Sequence, residues 1–376
     1  MEKIRGTNFG NWLVLEKWMQ PQMFEGVDAE DEIWLNRLMD PEKLAERMKE
    51  HRDTYVTEDD FRIVAEHGIN LIRIPVPYFI FGDRPPLIGC IEYLDKAFDW
   101  AEKYGLTILI DLHTVPGSQN GYDNGGLTGV CKWYKDKKEV RFALSVLERL
   151  AKRYKDRKGL YGIEVLNEPI SFLVWVSSPS FRAAADKNEA KGSWFVPLPF
   201  LKAFYRAAYK RLRAILPEDK VIVFHDGFRL TKWNRFFDQE KMKNVMLDTH
   251  IYIFAMENFV PIRALWAYKI YVGFNRLKIR NVKKHIPVVV GEWCISNKYA
   301  NNLSPEIPKD PVLAEKQRKR YRQVADLQLK AWDESAGHIY WNYQLWRDLT
   351  TPLDLFWKES WALNRCWDRE WMPPRM

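Results

Sequence analysis

Eight short runs rich in β-branched and apolar residues recur along the chain: Ile4–Phe9, Asn70–Val76, Thr107–His113, Tyr161–Asn167, Val221–His225, Val245–Tyr252, Pro287–Trp293 and His338–Tyr343. Amphipathic stretches lie between them, among them Thr57–His67, Tyr93–Tyr104, Glu139–Tyr154, Pro199–Leu216, Pro261–Lys284 and Leu313–Glu334. Thr57 and Asp60 form an acidic variant of a capping box, and Gly68 and Gly105 stand where two of these helices stop. Strand and helix in alternation imply a parallel sheet. The nearly continuous apolar runs Thr107–Ile110 and Pro287–Val290 suit strands covered on both faces. Eight repeats favour closure into a (β/α)8 TIM barrel over a doubly wound sheet, since no glycine-rich phosphate fingerprint follows the first strand.

No linker or low-complexity segment divides residues 1–376, which read as one catalytic-sized domain. The long connections 114–138 and 170–198 both follow strands, which places them on the face of a barrel that carries chemistry. The stretch after Tyr343, with Trp346, Trp357, Trp361, Trp367 and Trp371, is expected to pack as a helix and tail across the barrel.

At 47% hydrophobic and 29% charged residues the chain has ample core, and no apolar run approaches the ~18 residues of a membrane span. Met1–Gly6 leads into a strand without an apolar signal region, and Cys90, Cys131, Cys294 and Cys366 are widely spaced. Reduced thiols and a cytoplasmic location are the expectation. The net charge of +8 concentrates in stretches such as Arg149–Lys155 and Lys316–Arg320. Their helical periodicity makes them solvated helix faces, and no nucleic-acid-binding signature accompanies them. Neither nucleic acid nor membrane is expected as a partner, and the oligomeric state stays open.

The informative residues stand where the apolar runs stop: Arg73, Asp111 and His113, Asn167 and Glu168, His225 and Asp226, His250 and Tyr252, Glu292, and Trp341. Strand ends of a barrel converge on one site, whereas polar groups inside apolar strands are otherwise costly. For any one of them a structural hydrogen-bond network is the plainer reading. The ring of them taken together points to chemistry. Glu168 and Glu292, on the fourth and seventh strands, would face each other across the mouth. Two carboxyls about 5–5.5 Å apart are what a retaining glycosidase uses, one as nucleophile and one as acid and then base. Arg73 is expected to hold one of them ionised, while the other keeps its proton longer. The 17 tryptophans supply faces for sugar stacking, although most must be core.

Competing chemistries use the same residues. A metal hydrolase could employ Asp111, His113, His225 and His250, but the first strand lacks the H-x-H pair that such barrels carry. Cys294 reads as a packed thiol on the same strand face as Glu292, and Gly121–Gly129 as a turn-rich lid. No metal and no cofactor are expected. A non-catalytic sugar-binding barrel would have no reason to keep both carboxylates with their supporting set.

Several blocks carry a resemblance. They are Gly6–Glu16, His51–Thr57, Arg73-Ile74-Pro75, Asp111-Leu112-His113, Pro116–Gly121, Leu166-Asn167-Glu168-Pro169, His250-Ile251-Tyr252, Gly291-Glu292-Trp293 and Trp341. In that order, over nearly the whole chain, they resemble glycoside hydrolase family 5, particularly its exo-β-1,3-glucanase branch. The resemblance implies Glu168 as acid/base and Glu292 as nucleophile. Arg73, His113, Asn167, His250, Tyr252 and Trp341 would complete the family's active-site set. Asn167 would bind the sugar 2-hydroxyl, and Trp341 would stack under the ring. Asp123 and Asn124 are candidates for the pocket wall, while Asp53 could line the pocket or build a turn. The 170–198 connection and Met256–Tyr271 depart from the fungal exoglucanases. The chain is more similar still to the bacterial subfamily 18, which implies a β-mannosidase acting on mannosyl-β-1,4-N-acetylglucosamine. A β-glucosidase or exo-β-1,3-glucanase is the alternative. A short oligosaccharide is the expected substrate.

Overall fold

The structure is a computed structural model describing residues 2–178, 183–258, 260, 262–303, 310–345 and 356–376. Eight parallel strands, β1 (Ile4–Asn8), β2 (Leu71–Val76), β3 (Thr107–Leu112), β4 (Leu160–Glu164), β5 (Val221–His225), β6 (Val245–His250), β7 (Val288–Trp293) and β8 (Gly337–Tyr340), pair in sequence order. β8 closes onto β1, so the sheet is the (β/α)8 barrel expected from the alternation.

The principal helices are α1 (Pro41–Thr54), α2 (Glu58–Glu66), α3 (Ile91–Lys103), α4 (Lys137–Tyr154), α5 (Leu198–Arg213), α6 (Phe236–Glu240), α7 (Leu265–Val282), α8 (Pro311–Trp332) and α9 (Leu363–Asp368). The capping box at α2 is present, with the Thr57 backbone N–H donating to Asp60 at 2.7 Å. α1 went unread because its many charged residues leave only a narrow apolar stripe of Leu44 and Met48. The C-terminal stretch packs as expected in part: Trp361, Trp367 and Trp371 are buried around α9. Trp346 and the Trp357 side chain lie outside the described residues.

Alternation along each strand divides the core in two. Leu71, Leu109, Val221, Val223, Met246, Val289 and Ile339 form a plug inside the barrel. Ile72, Ile74, Ile108, Ile110, Leu247 and Val288 belong to the larger cluster that extends to the helices. Because side chains on a strand alternate with period two, the inward set continues upward from Leu71 to Arg73, from Leu109 to Asp111, from Met246 to Asp248 and from Val223 to His225. The packed plug and the polar mouth are successive layers of one set of positions.

The β1–α1 connection is pinned by His51 of α1, whose Nε2–H donates to the carbonyls of Asn11 at 2.7 Å and Trp12 at 3.2 Å. Burial pushes the His51 pKa down to about 4. In the unfolded chain a histidine titrates near ~6.5, so on acidification the unfolded state takes up the proton first. The stability this residue supplies is present above about pH 6.5 and is lost as pH falls through the folded value, by roughly 3 kcal/mol in all. Thermal midpoints between pH 7 and 4 are expected to fall less steeply in His51→Gln. Parallel slopes in the two proteins would reject this assignment.

Candidate active site

At the centre of the mouth lies Arg73, fully buried and projecting inward from β2. Its Nε donates to Glu164 at 2.7 Å, Nη1 to Glu292 and to Asn8, both at 3.0 Å, and Nη2 to Asn167 at 2.9 Å. Asp111 lies 3.1 Å from Nη2. One guanidinium therefore ties β1, β2, β3, β4 and β7 together and faces three carboxyls, Asp111, Glu164 and Glu292.

Glu292 reaches the mouth through irregularity in the ladder. Register shifts fall between Thr249 and His250 on one side of β7 and between Val290 and Trp293 on the other. Such shifts re-aim a side chain. Gly291 permits this: a Cβ there would fall 1.9 Å from the Asp248 carboxylate, which accepts the Gly291 N–H at 2.6 Å. The Cys294 thiol, next but one along the chain from Glu292, is buried in the hydrophobic cluster.

Glu168 stands beyond the end of β4 in a left-handed conformation, φ +44°. A non-glycine residue there is uncommon and strained, and here the turn aims its carboxyl at the mouth. His250 Nδ1 lies 2.7 Å from Glu168 Oε1 and 3.3 Å from Glu292 Oε2. Those two oxygens are therefore no more than ~6 Å apart, short of the roughly 6.5–9.5 Å that separates the carboxyls of inverting pairs. Asn124 Nδ2 donates to Glu168 Oε2 at 3.2 Å, and the Tyr252 hydroxyl donates to Glu292 Oε2 at 2.7 Å. Asn167 donates to His113 Nε2 at 3.3 Å, while His113 Nδ1 is bonded to Asp111. The Trp341 indole lies parallel to the His113 ring, with centroids 5.7 Å apart. A Cβ on Gly10 would come within 2.7 Å of that indole, so residue 10 has room only for glycine.

The proton distribution corrects one expectation. Burial alone would raise the Glu168 pKa, but the hydrogen bond and charge of His250 outweigh it, and the net shift is downward. For Glu292, burial and then the Glu168 charge outweigh the pull of His250 and Arg73, and the net shift is upward. His250 itself, although buried, is held well above its usual value by Glu292, Asp248 and Glu168. The shifts therefore run opposite to the expectation: they favour the ionised form of Glu168 and the protonated form of His250, which lies between the two carboxyls.

The structure brings Arg73, His113, Asn124, Asn167, Glu168, His250, Tyr252, Glu292 and Trp341 together. Asp123 sits beside them in the 120–125 turn, its pKa pushed up to about 6 by burial. Asp53 does not join them. It lies on the outer side of α1, paired with Lys49 at 2.5 Å and with the Tyr93 hydroxyl at 2.9 Å. The sequence reading passed over Asn8, Glu16, Glu164 and Asp248. A signal existed for the last: Asp111-Leu112-His113 and Asp248-Thr249-His250 repeat an acid and a histidine two apart, hence on one strand face. Glu16 is buried, accepts from Trp18 Nε1 at 2.9 Å, and has its pKa raised by burial and by the charges of Asp123, Glu292 and Glu168.

Among the described residues, two groups, Glu168–His225–His250 and Glu164–Asp248–His250, have ligand-type atoms within 4.8 Å of one another. Neither donor set suits a metal. His225 Nδ1 accepts the Gly227 N–H at 2.9 Å, so its other nitrogen carries the proton and faces the group as a donor. Glu164 is already bonded to Arg73. Asp111 and His113 of the metal alternative are likewise bonded to each other.

The family model described as "Cellulase (glycosyl hydrolase family 5)" matches residues 42–344. A probable glucan 1,3-beta-glucosidase A of Emericella nidulans is 36% identical over 303 residues, 78% of this chain and 67% of that protein. Its namesake in Aspergillus terreus is 30% identical over 374 residues, 91% and 83% of the two chains. The crystal structure of rutinosidase from Aspergillus niger matches with a TM-score of 0.75 at 20% identity, over 99% of this chain and 98% of that one, a likeness of fold alone.

Proposed function

Since the chain belongs to glycoside hydrolase family 5, we propose that it is an exo-acting retaining β-glycosidase in which Glu292 is the nucleophile and Glu168 the acid and then the base. The observation that carries this reading is the pair of carboxyls held within ~6 Å of each other by one imidazole. Glu292 attacks the anomeric carbon while Arg73 and Tyr252 hold its oxygens. Glu168, with His250 Nδ1 2.7 Å from its carboxyl as the proton relay, delivers a proton to the departing oxygen. Glu168, now a carboxylate, then takes a proton from the water that releases the sugar with its configuration retained. Asn167, oriented by Arg73 and His113, meets the 2-hydroxyl, and Trp341 lies under the ring.

Exo action is supported by buried Glu16 and half-buried Asp123, two further carboxyls near the catalytic pair that suit the hydroxyls of a terminal sugar. Two glycons fit. The curated relatives named glucan 1,3-beta-glucosidase favour a β-glucoside. The sequence resemblance to subfamily 18 favours a β-mannoside such as mannosyl-β-1,4-N-acetylglucosamine. The two sugars differ only in the orientation of the 2-hydroxyl. Hydrolysis of para-nitrophenyl β-glucoside and β-mannoside, followed by NMR of the anomeric proton, tests the proposal and separates the glycons. Retention is expected, and inversion or the absence of turnover on both would overturn it.

Glu168→Gln supplies a second test. With a poor leaving group that needs a proton, kcat/KM is expected to fall by about 10²–10⁴-fold. With 2,4-dinitrophenol, which leaves as the anion, the loss in kcat/KM should be much smaller. Equal losses on both substrates would place the acid elsewhere.

A further inference from the structure

The outward face of α7 is the feature of the molecule that its proposed catalysis leaves unexplained. The helix buries Tyr268, Val272, Ile279 and Val282 against the barrel. On the opposite face Trp266, Ile270, Phe274 and Leu277 are exposed by 57%, 66%, 57% and 60%. Their spacing of four, four and three residues sets them in one stripe about 16 Å long. Side chains of this size at these exposures leave roughly 500 Å² of contiguous apolar surface, the scale at which a patch on a soluble protein marks an interaction site. α4 and α8, by contrast, carry charged residues such as Arg149, Lys152, Lys316 and Lys319 between their buried positions.

We propose that α7 is the interface of a two-fold symmetric homodimer, in which the stripe of one chain packs against the same stripe of a second copy. Two observations select this occupant. Gly273 lies in the middle of the stripe, and a Cβ built there would meet nothing within 4 Å. The backbone is bare at that point, so two such helices can cross closely, each offering Ile270 and Phe274 to the other's notch. A symmetric pairing also doubles the buried area, bringing the two stripes alone to about 1,000 Å², the threshold for a specific interface, before any rim is counted. Arg276, Arg280 and Lys283 along the edge are tied to Glu334 of the same chain at 3.1, 3.5 and 2.6 Å. Lys278 folds its ammonium over the Phe274 ring at 4.3 Å. Glu334 offsets only one of these charges, so the edge beside the stripe stays positive.

Sedimentation velocity at tens of micromolar is expected to give a species of twice the 44.7 kDa chain mass. The double substitution Ile270→Glu with Phe274→Glu should give a monomer that keeps its circular dichroism spectrum and its para-nitrophenyl glycosidase activity. Both positions are exposed in the single chain. Gly273→Cys should form a disulfide-linked dimer under mild oxidation, against little background because all four native cysteines are buried. A wild-type monomer at these concentrations would overturn the proposal, as would a dimer that survives the double substitution or gives no cross-link through position 273. Binding of a monomeric wild type to phosphatidylserine vesicles would do the same and assign the stripe to lipid.

Discussion

Replacing Glu292 with glutamine is expected to lower kcat by about 10⁴-fold or more, since removing a residue that acts covalently collapses the whole pathway. At about 1.36 kcal/mol per factor of ten this is more than ~5 kcal/mol of transition-state stabilisation. Glutamine matches the shape and can still accept from Arg73 and donate toward Tyr252, so the loss is chemical and the thermal midpoint should stay close to that of the wild type. Mass spectrometry of the protein after exposure to a 2-deoxy-2-fluoro β-glycoside with a good leaving group gives the decisive readout. The wild type should retain one sugar on the peptide containing Glu292, and the variant none. A variant that still accumulates the adduct would move the nucleophile to another residue.

Arg73→Met is expected to cost both stability and activity. The guanidinium faces Asp111, Glu164 and Glu292 in a fully buried setting. Removing one partner of a buried ion pair leaves uncompensated charge at a cost of ~3–5 kcal/mol. Urea unfolding should show it as a lower midpoint at an unchanged slope. The effect on pH dependence has a definite sign. Arg73 pulls the Glu292 pKa down against the upward push of burial and Glu168. Without it that pKa rises further, so the acid limb of the kcat/KM profile, where the nucleophile ionises, should move to higher pH. A variant of native stability whose acid limb stays in place would show that Arg73 is neither the structural nor the electrostatic centre of the site.

Most of the architecture was legible in the sequence because a barrel strand is short, apolar and bounded by turns. The eight runs matched β1 to β8 within a few residues, with starts off by one at most and the larger misjudgements at the mouth. The run Tyr161–Asn167 was read as strand to its end, but β4 stops at Glu164. Asn167 and Glu168 stand beyond it, where the backbone turns left-handed. Asp123 and Asn124 could not be told from turn formers, since asparagine and aspartate serve both purposes in an Asn-Gly-rich loop. Asp53, equally plausible on paper, belongs to a surface network instead.

The sequence alone determined which side chains enter the barrel and how far up. Period two in a strand carries the inward set from Leu71 to Arg73 and from Met246 through Asp248 to His250. It also determined that two glutamates, at the ends of the fourth and seventh strand segments, would meet at one mouth. Only the tertiary structure decided how the charges are shared there. Arg73 serves several acids at once, and His250 lies between Glu168 and Glu292 and pulls the Glu168 pKa down. That outcome depends on distances of about 3 Å between residues up to 219 positions apart in the chain. Coulomb energies at such range are set by spacing and burial, which no local pattern encodes. The outward stripe of α7 is the converse case. Its residues read in the sequence as part of the amphipathic stretch Pro261–Lys284, and only the barrel shows which apolar side chains of that helix are left to solvent.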